Sequence, residues 1–135
     1  MQKASFSILS YQFDKVELDL SKHIDKELGL SFETNGVFAQ EPSQYELIFV
    51  VKLGNDELEK PFVTIQCRGV FEFENVNSLD EIPDFFYRNA IAILFPYVRA
   101  YLSLVTTQAN VPGIILPILN LSDLEEGLRK NTIQK

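Results

Sequence analysis

Tryptophan is absent from this chain of 135 residues, and cysteine, histidine and methionine each occur once. With Cys67 alone, no internal disulfide can form. The single histidine, His23, sits in the polar stretch 22–27, where a surface side chain is the simpler reading than a catalytic base or zinc ligand. The six glycines are scattered, so no glycine-rich phosphate loop is present. Basic charge is also scarce: 12 Lys and Arg against 19 Asp and Glu leave a formal net charge of −7. That balance argues against non-specific nucleic-acid binding, which needs clustered cations to replace phosphate counterions. It argues equally against adsorption to an anionic membrane. Long uncharged runs are missing too. The most apolar window, 85–105, contains Arg88, Pro96 and Arg99, and its longest charge-free part is only Asn89–Val98. A membrane span needs ~20 residues, so a buried helix and no membrane insertion are expected. Residues 1–6 lack a basic segment leading into an apolar run, so no signal peptide is read and a cytoplasmic location is expected.

What the chain does contain is apolar and aromatic. Hydrophobic residues make up 46%, and Phe occurs eleven times and Tyr five. A chain of this length buries roughly two thirds of its unfolded surface, enough for one core without disulfides. With no repeat, linker or low-complexity run, residues 1–135 are read as a single domain.

The first half alternates. Phe6 and Ile8 share one parity, Leu9, Tyr11 and Phe13 take the other, and Val16, Leu18 and Leu20 return to the first. A strand that switches face twice carries bulges, here expected near Ser10 and Asp14-Lys15. A second strand is expected over 28–34, ending at Asn35-Gly36, a hairpin-turn dipeptide. Tyr45, Leu47, Phe49, Val51 and Leu53 define a third strand, with Ile48 and Val50 making its second face partly apolar. Val63, Ile65, Cys67, Phe71 and Phe73 define a fourth, whose other face carries Thr64, Gln66, Arg68, Glu72 and Glu74. Cys67 is therefore read as a small buried hydrophobe. The partial apolarity of the sheet's second face predicts contact with another subunit or a ligand.

The second half is helical. Ser78-Leu79-Asp80-Glu81 fits a capping box, predicting a helix from Ile82 to Gln108. Pro96 must kink it or start a new helix. Residues 91–105 are apolar nearly all round, which predicts cover on both sides, the sheet on one and a second copy on the other. Arg99, in that apolar setting, is expected to find a structural ion pair or a subunit contact. A proline-punctuated apolar loop follows from Val111, and Ser122-Asp123-Leu124-Glu125 is a second capping box, opening a helix to about Lys130. Acidic groups such as Asp80-Glu81-Asp84 are most simply helix starts and solvated turns. No catalytic constellation, metal site or cofactor site is read.

Several of these stretches resemble one family. Cys67-Arg68-Gly69-Val70-Phe71, then Ile93-Leu94-Phe95-Pro96-Tyr97-Val98-Arg99, Ser103-Leu104-Val105, Val111-Pro112, Leu116, Asn120-Leu121 and Leu124 are similar to the SecB export chaperones. Weaker similarity reaches Tyr45-Glu46 and Val16-Glu17-Leu18. The resemblance implies an α+β, SecB-like fold: a four-stranded antiparallel sheet followed by a long helix and a short C-terminal helix. It implies a homotetramer, a dimer of dimers, with Ile93, Phe95, Tyr97 and Arg99 at the interface. It also implies an ATP-independent holding chaperone supporting protein export, with no catalysis. Its partners would be unfolded polypeptides or preproteins, held in an apolar groove near Phe32, Phe62, Ile114, Ile115, Leu116, Leu121 and Leu124. Leu30, Phe13 and Leu128 are further candidates. The family's docking surface for the translocation ATPase SecA is acidic. Of the matching positions Asp19 is acidic, whereas Lys15 and Thr64 are not. Two alternatives stay open: a SecB-like chaperone dedicated to an antitoxin, and a non-enzymatic binder of a small apolar ligand.

Overall fold

Alternating apolar residues put one side of each strand into a shared core. The computed structural model describes residues 3–22, 29–54, 61–111 and 121–135. Its strands are β1 (Ser5–Leu18), β2 (Gly29–Ala39), β3 (Gln44–Gly54), β4 (Val63–Glu74) and a short β5 (Thr132–Gln134). They form one sheet in the order β1-β4-β3-β2-β5. The first four pair antiparallel, and β5 adds parallel to β2. The four expected strands are therefore joined by a fifth, made from a polar stretch with no alternating apolar pattern to announce it.

β1 shifts register between Ile8 and Ser10 and again between Phe13 and Lys15, at the two places where its parity switches. Each shift adds one residue, so Phe6, Ile8, Tyr11, Phe13, Val16 and Leu18 all lie opposite core positions of β4. The expected turn at Asn35-Gly36 is not there. β2 runs through both residues, pairing Gly36 with Leu47, and the chain turns at residues 40–43 instead. The glycine serves packing: a Cβ at residue 36 would run into the Tyr45 phenol and come within 2.9 Å of the Thr132 hydroxyl.

The helix start also differs from the capping-box expectation. Ser78 makes no side-chain cap, and the box opens only a 3-10 turn, Leu79–Glu81. Glu81 accepts the Asn77 amide at 3.3 Å. Ile82, preceding Pro83, is held extended, and α1 (Asp84–Gln108) begins after that proline. α1 then continues through Pro96. Pro96 and Ala92, four residues earlier, are both exposed, so the carbonyl that loses its helical donor lies on the wet side.

Ala90, Ile91, Leu94, Val98, Leu102 and Thr106 are fully buried, one stripe at helical spacing. This stripe lies on the sheet. Gly69 lets it come close, because a Cβ there would sit 2.8 Å from Leu94 Cδ1. By length and composition α1 could cross a membrane, and among the described residues no other helix could. The stripe, however, is occupied by protein. Among the described residues the second side of α1 is only partly covered: Tyr97 is 43% exposed and Leu104 53%.

α2 (Leu121–Lys130) begins one residue before its expected cap, so Ser122 lies inside it. It packs between α1 and β2 with Leu128 fully buried. Arg129 bonds Asp84 at 2.9 Å and stands over the Tyr87 ring, while Arg88 pairs with Glu125 at 3.2 Å. On the sheet's outer face Arg68 bridges Asp14 and Glu46, and Gln66 also donates to Asp14. Val50, expected to await a partner, is only 8% exposed within the chain itself, and Ile48 is half-buried.

Candidate functional site

Two aromatic seams flank α1. On the β1 side Tyr97 stacks on Tyr11 (centroids 4.3 Å apart) and Tyr101 on Phe13 (4.1 Å). On the β2 side Phe95 lies against Phe32 (6.4 Å) and Phe49 (6.5 Å), and Phe32 meets Phe49 edge-on at 5.9 Å. Residues two apart on a helix point about 200° apart, so Phe95 and Tyr97 serve opposite flanks. The β1 seam was not anticipated. Its signal was the shared parity of Tyr11 and Phe13 between the two bulges, matched by the four-residue spacing of Tyr97 and Tyr101.

Phe95, Pro96, Arg99, Ala100 and Ser103 line an open hollow of about 440 Å³ along α1. Their spacing is a single helical stripe, mostly apolar, with one guanidinium. Arg68, Arg88 and Arg129 are all in ion pairs, whereas Arg99 is exposed and makes none among the described residues. Of the two expectations for Arg99, a structural ion pair is absent among the described residues, which leaves the subunit contact.

The expected groove residues divide. Phe32 and Leu124 are half-buried, Phe32 beside Phe95 and Leu124 on the face of α2 that meets Thr34. Phe62 is fully buried, so it belongs to the core and not to a surface groove. Its carbonyl accepts the Asp19 amide at 2.9 Å, one step beyond the last β1–β4 pair, Leu18 with Val63. Ile114, Ile115 and Leu116 lie outside the described residues, as does the side chain of Leu121. Of the expected interface residues, Ile93 and Phe95 are half-buried, and Tyr97 and Arg99 are exposed. Leu30 and Phe13 are half-buried, and Leu128 is core.

The ionisable groups inside the fold are kept neutral. Burial, helped by the nearby Asp14 charge, pushes the Cys67 thiol up to about 11, against a weaker pull from a backbone hydrogen bond. Burial likewise raises the Tyr45 phenol, and its bond to Thr132 only partly offsets this. A thiol so protonated has no nucleophilic role near neutral pH. Among the described residues no three His, Cys, Asp or Glu side chains are grouped to hold a metal.

A mostly antiparallel sheet, a long helix laid across it and a short closing helix define an α+β fold of the SecB-like type. The chain superposes on a SecB-like chaperone of Mycobacterium tuberculosis, solved with a ChAD peptide from the HigA1 antitoxin, with a TM-score of 0.69. Identity there is 16%, over 85% of this chain and 88% of that one. A protein of unknown function from Streptococcus agalactiae also aligns, with TM-score 0.53 and 12% identity, covering 87% of this chain and 100% of that chain. In sequence, 99 residues are 34% identical to an uncharacterised protein of Methanocaldococcus jannaschii. That match takes in 68% of this chain and 63% of the relative, less than two thirds of the relative's length. No protein-family profile matches the chain. The SecB-like resemblance read mainly from residues 67–124 therefore holds at the level of the fold.

Proposed function

We propose that this protein is an ATP-independent holding chaperone that binds non-native polypeptide along the apolar surface between α1, β2 and α2, without catalysis. The observation that carries this reading is a SecB-like fold with a half-open aromatic seam, Phe32 and Phe95, beside the hollow along α1. Such a surface offers wide apolar area and few directional polar groups, which suits clients that share no sequence. The fold neighbour from M. tuberculosis binds a polypeptide segment, which supports the same class of ligand here. The outward side of α1, bordered by Tyr97 and Leu104 on one flank and by Arg99 on the other, is where a dimer of dimers would find its contact.

A chaperone dedicated to one antitoxin is the second reading, favoured by what that neighbour holds. Delivery to SecA is the less supported extension. Asp19 accepts the amide and hydroxyl of Ser21, Lys15 is basic, and Thr64 is buried.

The test is light scattering coupled to gel filtration, before and after mixing with a urea-unfolded, slowly refolding protein and without nucleotide. A complex that carries the client and keeps it from aggregating is the expected result. If client aggregation is unchanged and nothing co-elutes, the holding role is wrong. A panel of unrelated unfolded proteins separates the readings: a general chaperone holds most, a dedicated one holds only an antitoxin segment.

A further inference from the structure

The hydrogen-bond phase of β2 shows that its outer edge is only partly used. The Gly36 amide donates to the Asn131 carbonyl, and the Lys135 amide donates to the Phe38 carbonyl. Even-numbered residues of β2 therefore aim their backbone groups away from β3. Antiparallel pairs alternate strictly between bonded and non-bonded, and the β2–β3 register runs from Gly29 to Ala39 without a shift. The same phase must hold at residues 30, 32 and 34. β5 covers only Gly36 to Phe38. The Thr34 carbonyl is taken by the Asn131 side chain at 3.1 Å. The N–H and C=O of Leu30 and Phe32, and the N–H of Thr34, have no partner among the described residues.

We infer that this edge, residues 29–33 of β2 up to the point where α2 and Asn131 cover Thr34, takes an extended client segment as an added strand in line with β5. The inference rests on the holding role proposed above and says how a client backbone is held. Three observations favour this site. First, the edge already accepts strand pairing from this chain's own β5, so the binding mode continues an existing interface. Second, it lies beside the Phe32–Phe95 seam, so alternate side chains of an added strand would face apolar surface. The others would face the exposed Glu33–Lys52 side of the sheet. Third, the opposite sheet edge is poorly suited: β1 is bulged twice, and each bulge breaks the regular row of edge groups. The segment contains neither Pro nor Lys, the residues that usually guard an edge. Main-chain bonding is blind to sequence, and the apolar side adds a preference for segments alternating apolar and polar residues. Those are segments destined to be strands in the client's own fold.

The test is amide hydrogen exchange by NMR on the full chain, free and mixed with α-lactalbumin kept unfolded by reduction and carboxamidomethylation of its cysteines. In the free protein the amides of Leu30 and Phe32 should exchange quickly, and those of Ser31 and Glu33, bonded to β3, slowly. With the client bound, the even amides should slow by at least ~10-fold. Leu30→Pro removes one edge donor that β3 does not use, so the fold should persist while client affinity falls roughly two- to tenfold. A client that co-elutes while residues 30 and 32 exchange as before overturns strand addition and leaves the holding role standing. Even amides already protected without client, and released on dilution, show that a second copy takes the edge and equally overturn it. Absence of any client complex removes the holding role, and this inference with it.

Discussion

Replacing Gly36 by alanine puts a methyl group where the Tyr45 ring and hydroxyl now lie, 2.9 Å from Thr132 Oγ1. Tyr45 is fully buried and cannot swing into solvent, and its hydroxyl is bonded to Thr132 at 2.5 Å. Thr132 is bonded in turn to the Leu128 carbonyl at 2.7 Å, so the phenol helps tie β5 and the end of α2 to the sheet. Overpacking a core of this kind costs typically 1–3 kcal/mol, and a lost hydrogen bond roughly 0.5–1.5, so Gly36→Ala should cost about 2–4 kcal/mol. The assay is urea unfolding at one fixed protein concentration, because any assembly would make the midpoint concentration-dependent. A double-mutant cycle isolates the cause. In a Tyr45→Val background the space is already vacant, and Gly36→Ala should cost less than about 1 kcal/mol. Equal costs in both backgrounds would refute the packing account. Glycine would then matter at residue 36 for its backbone and not for the room it leaves.

Two further outcomes are expected. Cys67 is fully enclosed with its thiol pushed up to about 11, so iodoacetamide at pH 8 should leave it unmodified in the native protein and label it as urea unfolds the chain; rapid native labelling would contradict the burial. Burial opposes ionisation of Asp14, but hydrogen bonds from Arg68 and Gln66 and the Arg68 charge outweigh it and hold the carboxyl below its ordinary 3.8. Stability from this pair is therefore present above about pH 4 and lost as pH falls through the lower folded value. Arg68→Ala should flatten that acid limb in urea titrations between about pH 4 and pH 2, and an unchanged limb would remove Asp14 from the account.

Much of the fold was legible in the chain. Parity alone located both β1 bulges, because a strand can switch its apolar face only by adding a residue. The third and fourth strands and the helical character of α1 followed from periods of 2 and 3.6. The errors share one cause. Asn35-Gly36 has the local chemistry of a turn, but it sits in mid-strand because Tyr45 and Thr132, distant in sequence, need the space. The box at Ser78 has capping chemistry, but Pro83 sets where the helix begins. Phe62 resembles a groove residue by position, yet the chain turns it into the core. The candidate surface was legible as a class of chemistry, apolar and aromatic. Which aromatics meet was not legible, because stacking of Tyr11 on Tyr97 depends on how α1 crosses the sheet.

By itself the sequence determined the element types and the buried stripe of α1, since these depend on local period. Only the tertiary structure decided the strand order, the fifth strand and which edge groups of β2 the described residues pair. A backbone N–H is the same group in every residue. Whether it finds a partner depends on which distant segment comes alongside, and no local pattern records that.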